Sequence, residues 1–513
     1  MTLVSCNCEL ALPQRESDVP SGGREYKLSS LSLPAHYPSR TIPTAKKSIA
    51  KLSLWPLVAA TFFMVSGGTY GTEEIIHGAG YGRGILILLF LPVLWSLPPA
   101  FMVGELSSAL PAEGGYYAWV RRGMGNFWGF QEAWLSLAAS IFDMAIYPTL
   151  FVAYLTQVTP WFAGGQGWQI LPGIVITRAM MVGAFVILGS TIINLAGIRV
   201  VGITSLWLFF LLSAPFALVV LLAPFSSGTV AATHSIAASA GELGLLGGVL
   251  VAMWNYMGWD NASTIAREVE RPQRTYPRAM IAAVVLVALS YILPFVAVYA
   301  AGVPTSAFEG DGSWARVAGM VAGTWHGFNW LGFLLVLGGM MSAFGMFNAL
   351  VMSYSRLPLA MAQDGMMPKV FAKTSAKSKT PWVAIIACCI CWTLCLGLGF
   401  RRLVTLDIML YGASLMLEFV TLVVLRIKEP GLKREFRVPG GLTGAVLLGV
   451  FPLLLLLLAM VESNHETVLG INGLLFGTII MFVGFIIYFA SKKLKILKVK
   501  PVVTEEIGSG EPA

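Results

Sequence analysis

The densest chemical signal in the chain is Val65-Ser66-Gly67-Gly68-Thr69-Tyr70-Gly71-Thr72-Glu73-Glu74. Three glycines within five residues free the backbone to leave a helix, and two carboxylates follow directly. All ten residues lie inside the first long apolar run, where an acid survives only with partners. Non-helical main chain at membrane depth persists only when it is buried in protein or lines a watery cavity. The stretch therefore reads as a broken helix at a binding site; the plainer alternative is a small-residue face packed on a neighbouring helix. Trp254-Asn255-Tyr256-Met257-Gly258-Trp259-Asp260-Asn261 repeats the pattern in a later apolar run. Two matched interruptions favour the broken-helix reading, because paired Gly-interrupted spans mark sites that hold a solute at the bilayer midplane. Asp143, midway along a third apolar run, is a further candidate by its depth alone.

These residues need a membrane to position them. The chain has 513 residues, of which 56% are hydrophobic and only 12% charged, with mean hydropathy +0.75, the composition of an all-α polytopic membrane protein. Residues 1–50 are polar, rich in Ser and Pro, and read as a disordered tail. No removable leader is expected, and the apolar run from Leu52 is expected to act as the insertion signal. Residues 51–491 contain twelve spans of about 20 residues each, the length a bilayer core requires. The first covers Leu52 to Ala79, the third Phe127 to Gln157, the sixth Leu243 to Arg267, the eighth Phe328 to Tyr354 and the tenth Val404 to Leu425. Residues 492–513 form a polar C-terminal tail.

The basic residues give an orientation. With the N-terminus in the cytoplasm, only Arg83, Arg178, Arg316, Arg401 and Arg402 of the 34 Lys and Arg fall outside. That bias puts both termini in the cytoplasm. The net charge of +8 is then topological, and nucleic acid is not a partner. The six cysteines do not make a disulfide framework. Cys388, Cys391 and Cys395 share a helical face that lacks His or acidic companions, so no metal and no cofactor are expected. The five histidines, His36, His77, His234, His326 and His465, are scattered, which argues against a catalytic metal site and against an enzyme.

Several motifs, in this order and spacing, resemble the amino acid–polyamine–organocation superfamily. They are Val65-Ser66-Gly67-Gly68 with Gly71 and Glu73, Trp95-Ser96-Leu97-Pro98, Pro111-Ala112-Glu113-Gly114-Gly115-Tyr116, Trp128-Gly129-Phe130-Gln131, and Asp143 with Tyr147-Pro148. Trp259-Asp260, the loop Glu268 to Ala279, and Arg356 to Gly365 with Pro368 continue the match. The resemblance covers about residues 50 to 490 and is nearest the polyamine-uptake and L-type amino-acid transporter branch. It implies two inverted five-helix repeats of the LeuT-like kind plus two helices, with spans 1 and 6 broken, working by alternating access. The repeats would occupy about 51–223 and 240–425, and the extra pair about 441–490.

In such a fold, main-chain amides of Ser66, Gly67 and Gly68 would bind an anionic group at the start of a half-helix. Tyr70, Tyr256 and Trp259 would flank the site, Trp254 would act as an aromatic lid, and Asn348 would bond either substrate or a neighbouring helix. The acids argue for a cationic substrate. A carboxylate about 5 Å from a substrate carboxylate costs about 3 kcal/mol at an effective dielectric of about 20, and attracts an amine by a similar amount. Glu73 and Glu74 diverge by about 100° on a helix, so one of them faces inward, and the motif match favours Glu73. Asp143 and Asp260 complete the acidic set.

The expectation is uptake of a polyamine or cationic amino acid across the cell membrane. Glu73, Glu74 and Asp143 are candidates for coupling to H+. Glu268, Arg274, Arg278 and Asp364 are expected to form a cytoplasmic gate. The sequence departs from the plant polyamine pattern where that branch has acids, at Pro99 and Leu350, and the fifth span from Arg199 to Ala223 has no interior Lys. The missing acids keep a neutral amino-acid transporter or exchanger as the alternative, the missing Lys bears on ion coupling, and a non-transporting nutrient sensor on the same fold is a less favoured alternative.

Overall fold

A computed structural model describes residues 51–162, 167–171, 174–226, 244–310, 312–376, 378–396, 400–462, 467–468, 470–494, 497 and 499–501. The tail 1–50, most of 492–513, and Cys6, Cys8, His36, His234 and His465 lie outside those residues.

The first apolar run is interrupted where its glycines fall. Helix α1 (Leu54–Val65) ends at Ser66, whose φ of −142° and ψ of 140° are extended. Gly68 and Gly71 then take φ of 74° and 81°, a region that L side chains avoid. Helix α2 (Glu73–Leu91) follows, and Gly80 within it takes φ 75° and ψ 168°. That kink separates a short half-helix from the next long run, which continues through a π-helical turn at Pro92–Ser96 into α3 (Leu97–Ala109).

A short basic helix, α4 (Gly115–Met124), leads through Gly125 into α5 (Asn126–Val158). The antiparallel pair β1 (Trp168–Leu171) and β2 (Ile174–Ile176) comes next. After it, α6 (Arg178–Ala196), whose N-cap Thr177 accepts from Met180 N–H, turns at Gly197 into α7 (Ile198–Leu222).

The sixth run is broken too. Helix α8 (Gly244–Asn255) stops, Gly258 takes φ 93°, and the chain proceeds as tight 3₁₀ turns over Trp259–Thr264 and Ala266–Glu268. Then come α9 (Pro272–Ala300), α10 (Trp314–Ala322), α11 (Trp330–Tyr354), α12 (Arg356–Gln363), α13 (Trp382–Thr393) and α14 (Phe400–Lys428). The chain closes with α15 (Gly441–Leu448), α16 (Val450–Glu462), the pair β3 (Thr467–Val468) and β4 (Ile471–Asn472), and α17 (Gly473–Lys493). The all-α expectation is corrected only by these two small β pairs, which lie between helices.

Among the described residues, nine helical stretches are long and apolar enough to cross a bilayer, and two shorter apolar helices, α1 and α13, accompany them. In the most apolar window of α5, 78% of residues are buried, against 22% in α17. The first is therefore central and the second peripheral. Leu475, Ile479, Phe482, Ile486 and Phe489 recur every three or four residues along α17 and are all exposed, which makes a lipid-facing stripe. Inside, Glu105 on α3 accepts from Arg426 on α14 at 3.0 and 2.5 Å and from Val438 N–H at 2.7 Å, and forms an ion pair with Arg434 at 3.2 Å. A buried carboxylate with two guanidinium partners and a main-chain donor is a structural tie.

Candidate substrate site

The two broken runs touch each other. A Cβ placed on Gly258 would sit 2.5 Å from the main-chain oxygen of Met64, at the end of α1, so only a glycine fits at the contact. Beside that contact lies a cavity of about 10 Å³, room for about one water. Its walls include Val65, Asp143, Tyr147, Trp254, Gly258 and Tyr411.

Asp143, carried by α5, is buried and accepts from Tyr147 Oη at 2.6 Å and Tyr354 Oη at 3.1 Å. The Trp254 indole also donates to it, and its ring lies 6.1 Å from that of Tyr147, tilted by 31°. Trp254 is thus part of the cavity wall, in contact with the acid it was expected to cover. Asp260 accepts from Tyr411 Oη at 2.5 Å, and the same hydroxyl accepts from Gly258 N–H at 3.0 Å. One tyrosine therefore ties an acid to the main chain of the break.

A third acid escaped the sequence reading. Asp407 on α14 is fully buried, interacts electrostatically with Asp143 and Asp260, and has no hydrogen-bond partner for either carboxylate oxygen among the described residues. The rule that selected Asp143, a carboxylate deep in an apolar span, selects Asp407 as well. The tyrosines were missed for a different reason: nothing local marks Tyr354 or Tyr411 as facing an acid on another helix.

Glu73 and Glu74 divide as helix geometry requires. Glu73 is buried and accepts from Tyr154 Oη at 2.5 Å, whereas Glu74 is half-buried. Glu73 sits one turn past the break and is not part of the wall of the closed cavity.

Several expected contacts have other work. Gly68 N–H donates to Ser66 Oγ at 3.0 Å, and Gly67 C=O accepts from Ser342 Oγ at 2.5 Å. The Gly68 amide is therefore spent within the break, which corrects its expected role as an open anion donor. The ring of Tyr70 packs on Tyr154 and Phe216, and its hydroxyl points toward Gly338 on α11. Tyr256 Oη donates to Leu88 C=O at 2.9 Å, and Trp259 Nε1 donates to Tyr256 C=O at 2.8 Å. Both brace the sixth break from behind. Asn348 Oδ1 accepts from Asn194 Nδ2 at 2.8 Å and Ser190 Oγ at 3.1 Å, so of its two expected roles it takes the link between helices.

The four residues expected at a cytoplasmic gate do not come together. Glu268 pairs with Arg356 at 2.7 Å; Asp364 pairs with Arg121 at 2.6 Å and accepts from Tyr117 Oη at 3.0 Å. Arg274 reaches Glu435 instead, at 3.4 Å and largely exposed, and Arg278 lines a separate basic cavity of about 660 Å³ with Lys51 and Arg271. The partners of the two acids lie on α12 and α4, far away in sequence, and were not among the expected gate residues. No group of three or more His, Cys, Asp or Glu among the described residues is arranged to hold a metal.

The amino acid permease family matches residues 58–489, nearly the whole helical body. The chain belongs to that family. The permease is 32% identical over 438 residues to the polyamine transporter RMV1 of Arabidopsis thaliana, covering 85% of this chain and 84% of that protein. It is 32% identical to the polyamine transporter PUT1 of Oryza sativa subsp. japonica over 449 residues, 86% of this chain and 78% of that one. A more distant relative is the serine/threonine exchanger SteT of Bacillus subtilis, 23% identical over 77% of this chain and 86% of the exchanger. The permease is thus a multi-pass membrane transporter and not an enzyme.

Proposed function

We propose that the permease takes up amine-bearing small solutes, polyamines or cationic amino acids, by proton symport through alternating access. The observation that carries this reading is the convergence of Asp143, Asp260 and Asp407 where the two broken runs meet, with no Lys or Arg in the cavity wall. An ammonium group there is attracted by about 3 kcal/mol per carboxylate at about 5 Å before desolvation, whereas a lone carboxylate is repelled by as much. The relatives named as polyamine transporters support the same substrate class.

The closed cavity fits an occluded stage of a cycle in which the half-helices beside Gly68 and Gly258 open toward one side and then the other. The pairs Glu268–Arg356 and Asp364–Arg121 would bar the cytoplasmic side at this stage, with both termini cytoplasmic and the chain in the cell membrane. The breaks at residues 66–72 and 256–258 and the kink at Gly80 support the twelve-span, two-repeat arrangement. Glu73 and Asp143 remain the coupling candidates from the first break and α5; Glu74, half-exposed, is the weaker one.

Neutral amino-acid exchange is the second reading, favoured by the apolar residues at Pro99 and Leu350 and by the kinship with the bacterial serine/threonine exchanger. Competition among labelled putrescine, arginine and leucine in proteoliposomes, with and without a pH gradient, separates the two. Uptake of putrescine or arginine that leucine does not displace is expected. Leucine uptake without putrescine or arginine uptake overturns the cationic reading, and binding without flux would mark a sensor.

A further inference from the structure

Two helices that pack along much of their length, α5 and α14, face each other with a polar seam. On α5 the seam is Glu132, Ser136, Ser140, Asp143 and Tyr147; on α14 it is Asp407, Tyr411, Ser414 and Glu418. Steps of three and four residues put each set on one helical face. One end of the seam reaches the central cavity through Asp143 and Tyr411, with Asp407 behind that wall and interacting electrostatically with Asp143. The other end holds Glu132 and Glu418, both fully buried and both toward the side where the basic helix α4 lies.

Glu418 interacts electrostatically with Glu132 and with Asp260, yet neither of its carboxylate oxygens has a hydrogen-bond partner among the described residues. Glu132 uses one oxygen to accept from Ser136 at 2.8 Å, and its other has no partner there either. The groups that face the pair are Tyr116 and Tyr117 from α4, Asp260 from the sixth break, and Tyr411 on α14. Among the described residues, no hydrogen bond or ion pair joins either glutamate to a Lys, Arg or His. Two neighbouring carboxylates in a dry interior without a cation cannot both be ionised cheaply, so the pair is built to hold a proton.

We propose that Glu132 and Glu418 are the site that holds the co-transported proton while an ammonium substrate occupies the central acids. The inference rests on the proton-symport reading above and answers a difficulty within it. A carboxylate that binds an ammonium gives up its proton, and simple competition of that kind yields exchange, not symport. Symport needs a second holder. The proton enters on Asp143, Asp407 or Asp260 from outside; when the ammonium arrives, the O–H bond there breaks and one forms on Glu418 or Glu132. That proton is later released to the cytoplasmic side, so one proton enters and one leaves per cycle, in the direction of the solute.

The test uses the full-length permease in liposomes with labelled putrescine, arginine or leucine, whichever the wild type moves. Uptake is measured with the outside about two pH units more acidic, a gradient that bounds one-proton accumulation at about 100-fold. Counterflow without a gradient is measured in parallel. Glu132→Gln and Glu418→Gln are expected to keep counterflow within about twofold while losing the gradient stimulation by about tenfold or more, and Glu418→Asp to recover most of it. If the wild type shows no stimulation by the gradient, the coupling reading falls and takes the pair with it. If the wild type is stimulated and both Gln variants are stimulated equally, coupling stands and the pair is overturned. Loss of counterflow together with driven uptake in the Gln and Asp variants marks the glutamates as packing elements and also overturns the proposal.

Discussion

The two breaks are made from the same kind of residue and held in different ways. At residues 66–72 the main chain is tied mostly by hydroxyls: Ser66 caps Gly68, Ser342 bonds Gly67 C=O, and Thr69 Oγ1 donates to Ser290 C=O at 2.6 Å. At residues 253–260 large aromatic side chains do most of the holding; the exceptions are Ser96 Oγ on Tyr256 C=O here and Trp314 Nε1 on Thr69 C=O at the first break, each at 3.1 Å. Trp95 reaches Met253 C=O at 3.0 Å, Tyr291 reaches Asn255 C=O at 2.7 Å, and Tyr411 takes the Gly258 N–H. Small hydroxyls can exchange one partner for another by rotating a single bond. Bulky rings wedged between helices cannot, since moving one displaces its neighbours. Under the proposed alternating access, the sixth break is therefore expected to act as the floor of the site and the first to rearrange.

Three substitutions sharpen or break that contrast. Gly258→Ala is expected to do the most. It forces a side chain onto φ 93° and against Met64 C=O, with strain of about 3 kcal/mol from the backbone alone. Initial uptake in proteoliposomes should fall by about two orders of magnitude. Tyr411→Phe comes next. It leaves Asp260 and the Gly258 amide short of one partner each, a cost of about 2 to 3 kcal/mol, and uptake should fall by about 30-fold or more while leaving the aromatic packing intact. Ser342→Ala should do least. One hydrogen bond to Gly67 C=O is lost, worth about 1 kcal/mol, and the uptake rate should change by about fivefold at most. A Ser342→Ala protein more impaired than Tyr411→Phe would reverse the assignment of rigid and movable breaks.

The sequence made both breaks legible because their cause is local. Glycine at positive φ, and acids in an apolar run, are properties of a few adjacent residues. The distinction between Glu73 and Glu74 followed from helical geometry in the same way. That Arg426 and Arg434 meet Glu105 depends on α3 and the end of α14 being neighbours, which no local pattern announces. Glu268 and Asp364 were named with Arg274 and Arg278 as one gate group, without their actual partners. Arg356 and Arg121 are near in space.

The chain by itself determined that it lives in a membrane, where its helices come apart, and which family it resembles, since hydropathy, glycine spacing and motif order are written along one dimension. Packing decided which polar groups remain available. It spent Gly68 on Ser66, Asn348 on Asn194 and Tyr256 on Leu88, and it brought Asp407 beside Asp143. The physical reason is that most buried donors and acceptors are paired, and whether one finds a partner or, like Asp407, is left without one is settled by whichever helix lies opposite. That neighbour is fixed by the assembled fold, at sequence separations where local pattern carries no information.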